Sequence, residues 1–210
     1  MISTPLKTEK QIKAQLREAF NECFNEENLI EFYRQCHELI YKHLQNCDLF
    51  TQEKIKNEFL NIKIAVDWDS TSSFRGLQGL SDETLLVIYQ VALNLFETQR
   101  FDQSKQLLSM LLLFASKISS YWNALGYVYQ TEGNFESAIT CYSKSLETDP
   151  DNIETYFYLA RCYLQMQQSY LAKQQLDNLR EYLIQSNSIH LWENHIIALT
   201  KEINLIFKGE

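Results

Sequence analysis

The chain of 210 residues, with 45% apolar and 22% charged residues, can bury a substantial core. Its net charge of −8 argues against a nucleic-acid surface and, more weakly, against binding to anionic membranes. The sequence has no apolar run of the roughly 18 residues that span a bilayer, and its N-terminus lacks the apolar stretch of a signal peptide. Five scattered cysteines do not indicate a disulfide framework. These features predict a soluble, cytoplasmic protein that does not insert into membranes.

An N-terminal helical arm is predicted over residues 1–78. After a loose tail, a helix is indicated from about Glu9, because apolar residues recur there every four positions and share one helical face. These residues are Ile12, Leu16, Phe20 and Phe24. A second apolar stripe follows a break at residues 25–28 and runs from Leu29 to Cys47.

The arm is predicted to end with a third helix and a loop. Thr51 is a candidate N-cap for this helix, because its hydroxyl can accept a hydrogen bond from a backbone N–H of the first turn. Residues 67–79 are rich in Ser, Thr, Asp and Gly, which is typical of a loop. We therefore place the boundary between the arm and the following domain after residue 78.

Residues 119–150 fit the 34-residue pattern of the tetratricopeptide repeat, which is a helix, a short turn and a second helix. The residues that match the pattern are Trp122, Leu125, Gly126, Tyr129, Ala138, Tyr142 (in place of Phe) and Pro150. The small residues allow the two helices to approach closely, and Gly133 supplies the turn.

The frame of 34 residues extends in both directions without an insertion. Downstream, Trp122 corresponds to Tyr156 and Gly126 to Ala160, whereas upstream Gly126 corresponds to Ala92. A domain over residues 79–186 is therefore predicted to hold three repeats. Their approximate ranges are 85–118, 119–152 and 153–186.

Two further helix signals frame the repeats. Ser81 is predicted to cap the first repeat helix, whose first turn is acidic and so favours the positive end of the helix dipole. Residues 187–210 are predicted to form an amphipathic helix, capped by Ser186 or Ser188, that covers the apolar face of the last repeat. The predicted fold is all-α, with three tandem helix hairpins, an N-terminal arm and a C-terminal capping helix.

No catalytic motif is apparent, so neither an enzyme nor a cofactor is expected. Cys36, His43 and Cys47 share one helical face, but the tight paired spacing of zinc ligands is missing. Buried cysteine behaves as a small apolar residue, so core packing is expected rather than a metal site. His190 and His195 are five positions apart and do not share a face well, so both are expected to be solvated or to take part in the packing of the capping helix.

The most informative surface is the concave groove that the first helices of the repeats line. Most residues at the groove positions are aromatic or aliphatic, whereas clamps for acidic C-terminal tails place Lys, Asn and Arg there. An extended peptide segment with hydrophobic anchors is therefore expected, although some of these rings could instead be buried against the arm. The peptide-binding candidates are Tyr89, Leu93, Phe96, Asn123, Tyr127, Phe157, Arg161 and Leu164.

Residues 79–108, GLSDETLLVIYQVALNLFETQRFDQSKQLL, resemble the class II chaperones of bacterial type III secretion, which serve hydrophobic translocator proteins. The resemblance rests on the opening Leu-Ser-x-Glu-x-Leu, on Tyr89 three positions before Ala92, on Phe96, and on Phe101 at the start of the second helix. It covers about residues 75–185.

The resemblance implies a bacterial cytoplasmic chaperone that keeps a pore-forming translocator soluble until export, without ATP. It also implies that Tyr89, Phe96 and Phe101 line pockets for a short extended segment anchored by Pro and Leu. The arm is longer than the family leads us to expect, and it is predicted to form a homodimer or to cover a second partner surface. The alternative function is a tetratricopeptide scaffold or adaptor in a multi-protein assembly.

Overall fold

The computed structural model describes residues 26–45, 47–60, 80–186 and 189–207. Over these ranges the chain forms nine α-helices and no strand, so the predicted all-α fold is confirmed. The described helices include none with the length and apolar character that crossing a bilayer requires. The chain divides into two compact units, residues 1–87 and 88–210. The boundary predicted after residue 78 lies outside the described residues and remains a prediction.

Within its described residues, the first unit contains two complete helices and the start of a third. They are α1 (Glu26–Leu44), α2 (Leu49–Leu60) and α3 (Asp82–Glu97). Cys36, Ile40 and Leu44 are buried, because residues four positions apart lie on the same face of α1. Since α1 begins at Glu26, the predicted break at residues 25–28 does not extend past residue 25. The predicted helix from Glu9 and the predicted loop at 67–79 lie outside the described residues.

Hydrogen-bonding side chains determine where α2 and α3 begin. Asp48 accepts hydrogen bonds from the Thr51 backbone N–H at 2.9 Å and from the Thr51 hydroxyl at 2.6 Å. The N-cap of α2 is therefore Asp48, and the prediction of Thr51 was wrong because a carboxylate three residues earlier caps the same turn. Ser81 caps α3 as predicted, since its Oγ accepts from the Thr84 N–H at 3.3 Å.

Glu58 of α2 is bound to the start of α3. The Ser81 backbone N–H donates to Glu58 Oε2 at 2.9 Å, and the Ser81 hydroxyl donates to the same oxygen at 3.2 Å. Burial raises the pKa of Glu58, but the hydrogen bonds from Ser81 and Thr84 together lower it below its ordinary value. An ion pair between Lys54 and Glu83 joins the same two helices.

The second unit continues α3 and adds six helices. They are α4 (Phe101–Phe114), α5 (Ser119–Thr131), α6 (Phe135–Thr148), α7 (Ile153–Gln165), α8 (Ser169–Gln185) and α9 (Ile189–Phe207). The helices pair as hairpins, and each hairpin packs on the next through the contacts of α4 with α5 and of α6 with α7. The predicted three hairpins and terminal capping helix are confirmed.

The same turn closes all three hairpins. In each turn one residue has a positive φ, at positions one repeat length apart. These residues are Gln99 (60°), Gly133 (79°) and Gln167 (59°). The following N–H then donates to the carbonyl five residues earlier, from Arg100 to Leu95 at 2.8 Å, from Asn134 to Tyr129 at 2.9 Å and from Gln168 to Tyr163 at 2.9 Å. This is the Schellman arrangement, which satisfies carbonyls at the helix end.

Small residues set the approach of the two helices within a hairpin. A Cβ atom added at Gly126 would lie 2.8 Å from Cε1 of Tyr142, so only glycine fits this contact. In the first hairpin Ser104 replaces the small alanine of the pattern. The Ser104 hydroxyl is buried and donates to the carbonyl of Ala92 at 2.8 Å, which satisfies its polar atom inside the core.

The last helix completes the core of the third hairpin. α8 and α9 contribute to one buried cluster, whose members include Leu176, Leu179, Leu183, Ile196, Leu199 and Ile203. Arg180 adds a hydrogen bond of 2.7 Å to the Thr200 hydroxyl. The Ser186 hydroxyl donates to the Tyr182 carbonyl at the end of α8, and the predicted cap of α9 by Ser186 or Ser188 stays a prediction. Ser188 lies outside the described residues.

Candidate peptide-binding surface

A continuous set of aromatic contacts crosses the second unit from α4 to α7. Phe101 lies 5.5 Å from Phe96, measured between ring centroids, and Phe96 lies 5.3 Å from Tyr127. Tyr127 in turn lies 5.5 Å from Tyr158 on α7. Each of these contacts is close enough for a favourable ring–ring interaction. The first helices of the three hairpins are therefore linked by adjacent aromatic side chains.

The set continues from α7 to the terminal helix. Tyr158 lies 6.1 Å from Phe157, and Phe157 lies 5.6 Å from Trp192 on α9. His195 contacts the edge of the same Phe157 ring at 5.8 Å. Arg161 places its guanidinium carbon 5.9 Å from the Phe157 centroid. We name as the aromatic row the six residues Phe101, Phe96, Tyr127, Tyr158, Phe157 and Trp192.

The row runs obliquely across the repeats. Phe96, Tyr127 and Tyr158 follow one another at a spacing three positions short of the repeat length. Three residues are close to one helical turn, so each ring comes from one turn earlier in its helix than the ring before it. The rings that contact one another therefore do not occupy equivalent positions of the repeats. Each ring contacts a ring that lies one turn earlier in the corresponding helix of the next repeat.

The rings differ in how accessible they are. Tyr127 is 42% exposed, whereas the other five rings of the row are partly buried. Tyr142 stacks against Tyr158 at 5.7 Å, and its hydroxyl donates to Gln130 Oε1 at 2.7 Å. Burial raises the pKa of both Tyr158 and Tyr142, so both phenols stay neutral near pH 7. A fixed ring beneath Tyr158 thus holds part of the row in place.

Several candidates predicted from the sequence meet along this row. Phe96, Phe101, Tyr127 and Phe157 belong to it, and Arg161 lies over Phe157. These five residues combine apolar rings with a single positive charge, which suits an apolar segment that carries a polar group.

Other candidates make contacts between hairpins or lie in the core. Tyr89 packs on Tyr121 at 5.0 Å, and burial raises its pKa. Asn123 Oδ1 accepts a hydrogen bond of 3.1 Å from the Thr155 hydroxyl, which joins α5 to α7. Leu93 is partly buried on α3. Leu164 is only 6% exposed and packs in the core cluster of the third hairpin, so its side chain is not accessible to a peptide here.

The sequence reasoning missed Tyr158, Trp192 and His195. It considered only equivalent positions of the three repeats, and Tyr158 lies outside that set. The signal that would have found it is the equal spacing from Phe96 to Tyr127 to Tyr158. Trp192 and His195 are three positions apart on α9, a spacing that places both beside Phe157.

Cys36 and His43 of α1 each make a separate contact. Cys36 is fully buried, and burial raises the pKa of its thiol to about 12. His43 Nδ1–H donates to the Leu39 carbonyl at 2.9 Å. Among the residues that the structure describes, no three His, Cys, Asp or Glu side chains come together as metal ligands would.

Comparison with protein families identifies the repeat type. A family model described as tetratricopeptide repeat matches residues 119–152. A second model of the same description matches residues 141–174. No curated protein matches the chain by sequence. The central hairpin and the start of the third are therefore tetratricopeptide repeats by sequence as well as by structure.

Solved structures share the fold. The type III secretion chaperone SycD of Yersinia enterocolitica, in complex with a peptide of the translocator YopD, is 22% identical with a TM-score of 0.56, covering 62% of this chain and 98% of SycD. PcrH of Pseudomonas aeruginosa, in complex with the chaperone binding region of PopD, is 22% identical with a TM-score of 0.57, covering 61% and 97%. A type III secretion complex from Aeromonas hydrophila is 18% identical with a TM-score of 0.62, covering 66% and 93%. This chain therefore carries tetratricopeptide repeats and shares the fold of the type III secretion translocator chaperones.

Proposed function

We propose that this protein is a type III secretion chaperone that binds an extended, hydrophobically anchored segment of a translocator along the aromatic row. The row itself carries the proposal, because its ring contacts pass from the first hairpin to the terminal helix and include the exposed Tyr127. SycD was solved with a translocator peptide and PcrH with a chaperone binding region, which supports a translocator segment as the occupant.

The physical basis of this function is the masking of apolar surface. A translocator that enters a membrane exposes segments that aggregate in water, and covering such a segment removes a large hydrophobic penalty. A few aromatic anchors can supply most of the binding energy. The net charge of −8 keeps the complex dispersed. We place the protein in the bacterial cytoplasm, acting before export and without catalysis or a cofactor.

Substitutions in the row test the proposed site. Tyr127→Ala combined with Phe96→Ala should weaken binding of translocator peptides by about 10- to 30-fold, because it removes two neighbouring anchors. Titration calorimetry measures the affinity. The matched control is Tyr170→Ala on α8, which removes a ring that is 74% exposed but belongs to no contact of the row. Equal affinities of the double variant and the wild type would refute the assignment.

Co-purification separates the proposed chaperone from the scaffold alternative. A chaperone should be recovered with one aggregation-prone client, and the client should precipitate when it is expressed alone. A scaffold should be recovered with several partners that remain in solution without it. The double variant Phe96→Ala/Tyr127→Ala should lose the client in the first case only.

We further propose that the N-terminal arm forms a homodimer. Cys36, Ile40 and Leu44 of the predicted stripe are buried inside the first unit, so the proposed contact uses the start of α2 instead. Leu49 and Phe50 are 81% and 78% exposed there. Exposed adjacent apolar side chains of this size favour association. Phe50→Glu with Leu49→Glu should convert the dimer to monomer in sedimentation, whereas Tyr170→Glu should not. A dimer that persists in the arm variant contradicts this proposal.

A further inference from the structure

We propose that Arg161 makes the aromatic row selective, by binding the carboxylate of an acidic side chain in the client segment. The acidic residue would lie beside an apolar client residue seated on Phe157 and Trp192. This inference rests on the proposed function, because it concerns the chemistry of the segment that the row binds. It adds a requirement that rings alone do not impose.

Arg161 occupies a groove-lining position in its repeat. The equivalent positions in the first and second repeats hold Leu93, two repeat lengths earlier, and Tyr127, one repeat length earlier. A guanidinium therefore replaces an apolar or aromatic side chain at this one end of the row. Because Arg161 is exposed, its charge faces solvent beside the ring of Phe157.

The contacts of Arg161 orient the guanidinium without using its donors. The ring face of Phe157 attracts the cation at 5.9 Å, an interaction that needs no N–H group. None of the ion pairs formed among the described residues involves Arg161. By contrast, Lys105 pairs with Glu132 at 2.8 Å, and Arg180 pairs with Asp177 at 3.2 Å. The planar guanidinium of Arg161 can thus accept a carboxylate through two parallel hydrogen bonds.

The apolar part of this end comes from α7 and α9 together. Phe157 contacts Trp192 and His195, and these two rings lie 5.6 Å apart. An apolar client side chain that packs on Phe157 or Trp192 therefore brings the client residues one or two positions away from it close to Arg161. An adjacent Glu or Asp of the client can reach the guanidinium from the same backbone.

Charge complementarity favours one acidic position in the client rather than an acidic client. The chain carries a net charge of −8, so its long-range field attracts basic segments and repels acidic ones. The positive charge of Arg161 favours an acidic client residue at this one end of the row, which makes binding specific for the position of that residue. A C-terminal carboxylate is a poorer occupant, because Leu93 and Tyr127 at the equivalent positions offer it no further cation.

Positional scanning with synthetic peptides tests the proposal. The probes are acetylated, amidated ten-residue peptides with fixed Leu and Phe anchors and alanine elsewhere, in which each position in turn is Glu, Gln or Lys. At one position the wild type should bind the Glu probe about tenfold more tightly than the Gln probe, as expected for charge-assisted hydrogen bonds. Arg161→Gln should abolish that difference, and Arg161→Glu should favour the Lys probe at the same position. The control Arg180→Gln on α8 should retain the wild-type preference.

The outcomes distinguish the two proposals. Equal binding of Glu and Gln probes to the wild type, or a preference that survives in Arg161→Gln, overturns the role of Arg161 and leaves the proposed function standing. If no probe binds, or if Phe96→Ala/Tyr127→Ala binds every probe as the wild type does, the row is not the site and both proposals fail. A preference that appears only when the amide is replaced by a free C-terminal carboxylate also overturns the assignment to an acidic side chain.

Discussion

At the scale of single residues, Gly126 and Tyr142 depend on each other. The Tyr142 ring fills the space that a Cβ at position 126 would need, with only 2.8 Å between the two atoms. The other hairpins use a different combination, in which an alanine faces a leucine at the corresponding positions. These pairs are Ala92 with Leu108 and Ala160 with Leu176. Glycine is therefore required in the central hairpin by the size of its partner.

This dependence predicts a coupled pair of substitutions. Gly126→Ala should lower the free energy of unfolding by about 1–3 kcal/mol, because the buried Tyr142 ring cannot move aside. Combining it with Tyr142→Leu recreates the pair of the flanking hairpins. The double variant should be more stable than the sum of the two single effects by at least about 1 kcal/mol, as measured by urea unfolding. Strict additivity would contradict the proposed contact.

The hairpin turns predict a gain in stability. A left-handed residue with a Cβ costs about 1–2 kcal/mol, and the freedom of glycine in the unfolded chain offsets up to about 1 kcal/mol of that. Gln99→Gly and Gln167→Gly should therefore each raise the free energy of unfolding by about 0.5–1 kcal/mol. The neighbouring Gln168 has a φ of −94°, so Gln168→Gly is the matched control and should give no gain. Thermal or urea unfolding measures all three variants.

At the scale of elements, the start of α3 depends on Glu58 of α2. The carboxylate accepts two hydrogen bonds from Ser81 and lies at the positive end of the α3 dipole. These bonds hold the pKa of Glu58 below its ordinary value of 4.5 despite burial. A group with a lowered pKa in the folded state stabilises the fold above its unfolded pKa. That contribution is lost as the pH falls through the lowered pKa.

Glu58→Gln tests this pH dependence. Glutamine keeps one acceptor oxygen and removes the charge, so at pH 7 the variant should be less stable by about 0.5–1 kcal/mol. The difference from the wild type should begin to shrink as the pH falls below the ordinary pKa of 4.5, and should disappear below the lowered pKa of folded Glu58, where both side chains are neutral. Urea unfolding at pH 7 and pH 3 measures it. The exposed Glu53→Gln on the same helix is the control, and an equal loss in both variants would refute the role of Glu58.

At the scale of the whole molecule, the hairpins could be predicted from the sequence because packing within a repeat recurs at the repeat length. Gly126 and Tyr142 illustrate this, since both belong to the sequence pattern and to one contact. The aromatic row could not be predicted in the same way, because the offset between successive hairpins is a property of their packing. Tyr158 therefore joins the row from a position that the pattern does not mark.

Two other differences also have local causes. Leu164 lies at a groove position by register, yet α8 and α9 cover it and place it in the core. Asp48 rather than Thr51 caps α2, because its carboxylate accepts hydrogen bonds from both the backbone N–H and the hydroxyl of Thr51. The sequence places both residues near the start of the helix and does not by itself choose between them. The position of a residue in the repeat predicts its neighbours within the hairpin, whereas its exposure depends on which other helices pack against it.

The stacking of each hairpin on the next also affects the rates at which backbone amides exchange their hydrogens. The central hairpin, α5 with α6, has a neighbour on either side and closes with Gly133, whereas α8 and α9 lie at the end of the array. In such arrays local opening proceeds from the ends, and the free energy of opening adds up from each repeat and its interfaces. Deuterium should therefore enter α9 first and the buried amides of α5 and α6 last. A client bound along the row should slow exchange most at the end that opens first.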